Sequence, residues 1–181
     1  MTEYKRYIPK TKRKIKHLND GFYYELWMVT KAVKVHHDLI GEIPVISNMC
    51  IEAVTVHTRT LLEFFNNEML TKVNNKGWQH ISKANDYMKK GQKWITPDIE
   101  NDKRYKHLKK LKKRVNPEVV HLSYDRLIHK KTDWDLDAVL NELSIIIQEF
   151  MAKCDKKYIK KDLRHLVKEG LVQEPKYLSK N

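Results

Sequence analysis

The feature that most restricts the fold is the spacing of apolar residues, which recur every three or four positions over much of the chain. The clearest stretch, residues 45–67, predicts a helix roughly 34 Å long, enough for a central element of a bundle. Only five glycines and five prolines occur among 181 residues, which favours helices over a turn-rich β fold. The predicted apolar face of this helix consists of Ile46, Met49, Cys50, Ala53, Val54, Leu61, Phe64 and Phe65.

Similar patterns predict further helices on either side. One should follow Asn19 or Asp20, either of which can cap a helix, and another should follow Asp133 or Asp135. The apolar stripe of the second of these consists of Leu136, Val139, Leu140, Leu143, Ile146, Ile147, Phe150 and Met151. The sequence therefore predicts an all-α, up-and-down helical bundle of four main helices with basic N- and C-terminal extensions.

Residues 71–102 are the least regular part of the chain. We expect them to cover the bundle, with short helices at 80–89 and 98–103. Trp78 and Trp94 in this stretch have two readings: they can stack on nucleic-acid bases, or they can anchor a loop to the core.

A chain of this length suits a single core with appendages. We divide it into a basic N-terminal arm (1–19), a helical bundle domain (20–154) and a basic C-terminal helix and tail (155–181). Because the arm has little apolar content, it is expected to be extended or poorly ordered unless a partner holds it.

The sequence lacks the features that mark several classes of protein. No apolar run approaches the ~20 residues of a membrane span, and the basic N-terminus lacks the apolar region of a secretory signal. Cys50 and Cys154 fall on apolar helical faces, as small core residues of a reducing compartment do. There is no glycine-rich phosphate loop, zinc-finger spacing or HExxH motif. We therefore expect a cytoplasmic protein without a membrane span, metal or cofactor.

The formal net charge of +13 is concentrated in three segments. Residues 1–17 hold seven Lys/Arg and one acid, residues 103–114 hold eight and none, and residues 153–168 hold seven and two. Such clustering is typical of proteins with a polyanionic partner, here RNA or another nucleic acid. The alternatives are a solubility device, a lysine bias of the genome or, less favoured, an anionic membrane. Residues 103–114 are predicted to form a short helix with one narrow apolar edge, Tyr105, Leu108 and Leu111. The predicted nucleic-acid contacts are Lys106, Lys109, Lys110, Lys112 and Lys113.

A catalytic site is predicted at the C-terminal end of the central basic segment, residues 103–114. Asn116 is a good N-cap and Pro117 suits the first helical position, so a helix should begin here and carry His121. Arg114 lies just before this cap. An arginine and a histidine at a helix N-terminus can hold and protonate a phosphate, with His121 moving protons and Arg114 neutralising charge. The alternative is that His121 packs in the core and Arg114 is solvated.

Four residues are candidates to support this site. Asn116 and Tyr124 would orient the phosphate or the imidazole ring, and Asp125 would fix the histidine tautomer. Arg59, in the predicted central helix, would face a site at the bundle surface. Its alternative role is an ordinary intrahelical ion pair with Glu63, four residues later.

Arg114-x6-His121 resembles the Arg-x4-6-His signature of the HEPN superfamily of small helical-bundle proteins. Two stretches, Glu52-x4-His57-x-Arg59-x-Leu-Leu-Glu63-Phe-Phe and His121-Leu-Ser-Tyr-x-Arg126, are similar to a group of small bacterial proteins of that type. The resemblance covers roughly residues 45–130 without 71–102. It implies a homodimer in which Arg114 and His121 of both protomers line one cleft.

The resemblance also implies a function, because many HEPN proteins are metal-independent endoribonucleases of toxin–antitoxin or defence systems. We therefore expect a HEPN-like RNA-binding protein that cleaves RNA through Arg114 and His121, with an antitoxin-like protein as a further partner. Many HEPN proteins lack activity, so the alternative is a non-catalytic basic helical module that binds nucleic acid or a partner protein. A third reading is a structural protein whose charge has no specific ligand.

Overall fold

The computed structural model describes residues 10–39, 43–67, 82–114 and 134–168. These residues form six α-helices and contain no β-strand, so the predicted all-α helical bundle is confirmed. The helices are α1 (Thr11–Lys16), α2 (Tyr23–Leu39), α3 (Pro44–Phe65), α4 (Lys106–Arg114), α5 (Leu136–Lys153) and α6 (Lys161–Lys168). Short 3₁₀ turns lie at Ala84–Tyr87, Lys103–Tyr105 and Lys156–Tyr158.

Helices α2 and α3 form an antiparallel hairpin, and α5 packs against both. Near one end of the hairpin His57 Nδ1 lies 2.7 Å from Glu25 Oε2, and near the other Ser47 Oγ lies 3.0 Å from His36 Nδ1. The predicted central helix at 45–67 is observed as α3, which begins at a proline as helices often do.

Aromatic rings fill the centre of the core between α2, α3 and α5. Phe22 lies 5.0 Å from Phe64 and 5.5 Å from Phe150 between ring centroids, and Trp94 lies 5.5 Å from Phe65. The predicted stripe of α5 is buried except for Met151, which is half-buried.

The predicted apolar face of α3 is largely confirmed, but the placement of Met49 on it is wrong. Met49 is 61% exposed, because it shares the outward face of α3 with Val45 and Val56, which lie four and seven residues away. Cys50 and Cys154 are buried, as expected. Burial raises the pKa of the Cys154 thiol to about 12.

The prediction of an extended N-terminal arm is wrong for residues 10–19. Helix α1 continues through a π-helical turn, His17–Phe22, into α2. Leu18 is fully buried and ties this helix to the core. Asn19 does not cap a helix; its Nδ2 donates to Ile15 O and Tyr158 O at 2.6 and 2.7 Å. Burial of Leu18 and the contacts of Asn19 therefore hold this basic stretch in a helix.

The C-terminal basic segment also packs on the core, through Tyr158, Ile159, Leu163 and Leu166. The proposed boundaries at residues 19 and 154 stay predictions.

Residues 82–102 are mostly irregular, with one 3₁₀ turn where a helix at 80–89 was predicted and another just after the predicted 98–103 helix. Trp94 is buried and donates from Nε1 to Phe65 O at 2.8 Å, so it anchors this stretch rather than stacking on bases. Trp78 lies outside the described residues. Within the described ranges, no helix combines the length and apolar character needed to cross a bilayer.

Candidate nucleic-acid interface

Helix α4 is built from one apolar edge and an otherwise basic surface. Its edge is Tyr105, Leu108 and Leu111, all buried against the core as predicted, and the helix packs along α5. The 3₁₀ turn Lys103–Tyr105 leads into it without a break, and Asp102 caps that turn by accepting from Arg104 N. The apolar edge therefore determines which side of α4 faces solvent.

A buried carboxylate anchors the beginning of α4. Glu142, only 9% exposed, accepts hydrogen bonds from His107 N at 3.0 Å and from Leu108 N at 2.8 Å. One of its oxygens also lies 2.7 Å from His107 Nδ1. Glu142 thus satisfies backbone donors that a helix start leaves unpaired, and it places negative charge at the positive end of the helix dipole.

Sequence reasoning missed this anchor, although one signal for it exists. Glu142 interrupts the apolar stripe of α5 between Val139 and Leu143, at a position that the spacing assigns to the core. An acid in such a position needs a buried donor as its partner. The sequence does not show which donor, elsewhere in the chain, is the partner of Glu142.

Lys106, Lys110 and Lys113 are exposed and form one stripe on α4, at spacings of four and three residues. We call these residues the lysine stripe. No acidic residue occurs between positions 103 and 114, so their charges are not balanced within the helix.

The other two predicted contact residues lie on the flank of α4 and bind Glu100. Lys109 Nζ donates to Glu100 O at 2.5 Å, and Lys112 Nζ lies 2.9 Å from Glu100 Oε1. The Lys112 ammonium lowers the pKa of the Glu100 carboxyl. Lys109 and Lys112 are therefore both engaged by Glu100.

Arg114, at the C-terminal end of α4, is not solvated. The residue is 7% exposed, and its guanidinium carbon lies 4.1 Å from the centroid of the Trp134 ring. Such stacking is a cation–π contact, and it covers one face of the guanidinium. The alternative of a solvated arginine is therefore wrong.

The other residues of the predicted catalytic set lie outside the described residues. This applies to His121, to its predicted neighbours Asn116, Tyr124 and Asp125, and to the helix that would carry them. The meeting of Arg114 with His121 stays a prediction.

Histidines and acids gather at the N-terminal end of α5. His37 Nε2 lies 2.9 Å from Asp137 Oδ2, and His107 Nε2 lies 3.9 Å from Asp135 Oδ2. Asp135 also caps α5 by accepting from Ala138 N at 2.9 Å, as predicted. Trp134 and Arg114 adjoin this cluster. No group of side chains within the described ranges has an arrangement suited to a metal ion.

Two further polar pairs lie on α3. Arg59 Nε lies 2.9 Å from Glu63 Oε1, which confirms the intrahelical ion pair, a contact worth only tenths of a kcal/mol. A role for Arg59 in a surface site stays a prediction. The second pair joins His57 to Glu25 of α2, a contact between helices that the sequence analysis did not predict.

The comparisons with known proteins add no relative from which a role can be inferred. Comparison of the chain with protein-family models, with curated proteins and with solved structures finds no match.

Proposed function

We propose that this protein binds RNA through the lysine stripe of α4. The observation that carries the proposal is the exposure of Lys106, Lys110 and Lys113 on one side of a helix whose opposite side is buried and whose start is held by Glu142. The three ammonium groups are thus presented on a fixed backbone, with no acid on the same helix.

The energetics of α4 support a polyanionic partner. Like charges four residues apart on a helix destabilise it by a few tenths of a kcal/mol, and this helix carries several such neighbours. Phosphates would remove that repulsion, and the release of condensed counterions would favour binding. The choice of RNA rests on the HEPN resemblance. The choice of the cytoplasm as the place of action rests on Cys50 and Cys154, which suit a reducing compartment.

Removal of two stripe charges tests this proposal. We expect Lys106→Gln/Lys113→Gln to lose about two phosphate contacts and so to reduce the slope of log K against log salt by about 1.4 for single-stranded RNA. If the variant and the wild-type protein bind RNA equally near 1 M salt, this change in slope corresponds to roughly 25-fold weaker binding by the variant at 0.1 M salt. Fluorescence anisotropy with a labelled 15-nucleotide RNA measures both quantities.

Lys90→Gln/Lys93→Gln is the matched control, because both lysines are exposed outside α4 and the net charge changes equally. Equal losses of affinity in the two double variants would show that total charge matters and the stripe does not. That outcome would refute the proposed site.

Metal-independent RNA cleavage is the second candidate function, and the position of Arg114 favours it. Trp134 contacts the face of the Arg114 guanidinium, and Arg114 precedes His121 by seven residues in the sequence. An arginine oriented in this way would stabilise the charge that develops on a phosphate, while His121 transfers protons. The proposed homodimer would place two such pairs in one cleft, and an antitoxin-like protein would cover it.

The cleavage proposal predicts RNA degradation in EDTA that is lost in His121→Ala and reduced at least tenfold in Arg114→Lys, which keeps the charge but not the planar fork. Circular dichroism must show that both variants retain the helical content of the wild type. Binding without cleavage by the wild-type protein would leave the non-catalytic RNA-binding module as the function.

A further inference from the structure

We infer that the two ends of the chain together form a second phosphate-binding surface, made by α1 and by residues 156–168. We call it the terminal surface. This inference rests on the proposed function, since it adds a second contact region for the same RNA. It concerns residues that are far apart in the sequence and that only the fold brings together.

Asn19 joins the two segments. Its Nδ2 donates to Tyr158 O at 2.7 Å, and its Oδ1 accepts from Lys160 N at 2.7 Å. Both hydrogen bonds reach the backbone on either side of Ile159. On the preceding turn, Lys14 Nζ lies 5.7 Å from the centroid of the Tyr158 ring. These contacts hold α1 beside the 3₁₀ turn Lys156–Tyr158.

Buried residues make the arrangement part of the core. Leu18, just after α1, is fully buried. Leu163 and Leu166 on α6 are almost fully buried. Tyr158 packs edge-to-face on Tyr87, with 5.6 Å between the ring centroids. The position of both basic segments is therefore fixed by apolar packing, although their charges repel.

Basic side chains dominate the exposed part of both segments. Between residues 10 and 16 there are five basic residues and no acid, and between 156 and 168 there are six and one. Asp155, just before the second segment, pairs with Lys157 at 2.6 Å, and this contact lowers the pKa of its carboxyl. The exposed basic residues are Lys10, Lys12, Arg13, Lys16, Lys156, Lys157, Lys160, Lys161, Arg164 and Lys168.

The apolar residues favour RNA over an anionic membrane as the ligand. A helix that lies on a bilayer inserts its apolar face, but Leu163 and Leu166 of α6 are buried in the core and Val167 packs half-buried against it. Among the described residues, the large exposed hydrophobic side chains all lie outside α1 and residues 156–168. The terminal surface therefore offers charge without an inserting face, which suits a phosphate backbone.

The terminal surface lies some distance from the lysine stripe. Glu142, which anchors α4, and Cys154, which precedes the terminal turn, are twelve residues apart along α5, or roughly 18 Å. This span corresponds to about five nucleotides at the rise of one stacked strand. An RNA of 15 nucleotides is long enough to contact both surfaces, whereas one of four nucleotides is not.

The test compares Lys12→Gln/Lys161→Gln with the stripe variant Lys106→Gln/Lys113→Gln and with the control Lys90→Gln/Lys93→Gln. All six lysines are exposed, and each double variant removes the same charge. With a 15-nucleotide RNA, the terminal variant should reduce the salt slope by about 1.4, and combining it with the stripe variant should reduce the slope by about 2.8. With a four-nucleotide RNA the two losses should no longer add.

The possible outcomes separate this inference from the proposed function. If the terminal variant matches the control while the stripe variant loses affinity, the terminal surface is refuted and the stripe stands. If only the terminal variant loses affinity, the stripe is refuted. Should the wild-type protein bind vesicles containing phosphatidylserine as tightly as RNA, and the terminal variant lose only vesicle binding, the surface serves a membrane and the inference fails.

Discussion

Individual polar side chains show where sequence reasoning reaches its limit. The ion pair of Arg59 with Glu63 was expected, because both residues lie on one helix. The partners of Asn19 and Glu142 were not, because each side chain bonds to backbone more than 30 residues away. A sequence shows that such a group needs a partner, but only the packed fold shows which one.

Glu142 is the residue whose replacement should most affect α4. We expect Glu142→Gln to lower the free energy of unfolding by about 1–3 kcal/mol, because the amide keeps only one, uncharged, acceptor oxygen and its NH₂ group cannot accept from the backbone N–H groups of His107 and Leu108. Urea denaturation measures the change. Glu149→Gln on the same helix is the control, with an expected change within about 0.5 kcal/mol, since Glu149 makes a partly exposed ion pair with Lys153. Similar losses in both variants would contradict the anchoring role.

His36 should make stability depend on pH. It is buried beside Ser47, His37 and Asp137, and burial followed by the proximity of His37 lowers the pKa of its imidazole. The unfolded chain takes up this proton near pH 6.5, whereas the folded chain resists it. The unfolded state therefore binds more protons, and the contribution of His36 to stability is lost as the pH falls below about 6.5.

Comparison with His36→Gln isolates this effect. We expect the urea midpoint of the wild-type protein to fall more between pH 7.5 and pH 5.5 than that of the variant, because glutamine does not titrate. The histidines that do not adjoin His36 are present in both proteins and so cancel in the comparison. A fall of the same size in both would mean that His36 does not contribute.

At the scale of helices, prediction succeeded where apolar spacing is strong. Helix α3 runs from Pro44 to Phe65 against a predicted 45–67, and the basic segment 103–114 is helical with its apolar edge buried. It failed for α1, whose basic sequence lacks an apolar stripe. The helix is held by the burial of Leu18 and by Asn19, which bonds to Tyr158 near the other end of the chain.

Helix α4 combines features that the sequence placed correctly with others that it did not. The exposure of Lys106, Lys110 and Lys113 follows from the burial of the apolar edge, so it was predictable. The engagement of Lys109 and Lys112 by Glu100 was not, because Glu100 belongs to the irregular stretch before the helix. Arg114 contacts Trp134 across 19 intervening residues, a contact that neither the predicted phosphate site nor its alternative of a solvated arginine included.

At the scale of the molecule, the fold determines where the unevenly distributed positive charge lies. The sequence contains three basic segments, and the fold places the first and third beside each other while the second forms α4 along α5. Three segments thus become two surfaces. Both surfaces are held in place by buried side chains.

The central claim is that RNA contacts the lysine stripe, and lysine-reactivity footprinting tests it most directly. The wild-type protein is acetylated with and without a saturating 15-nucleotide RNA, and the modification of each lysine is measured by mass spectrometry. We expect Lys106, Lys110 and Lys113 to become severalfold less reactive when RNA is bound, while the reactivity of Lys90 and Lys93 does not change. Unchanged reactivity of the stripe under conditions where RNA is bound would contradict the proposed contact.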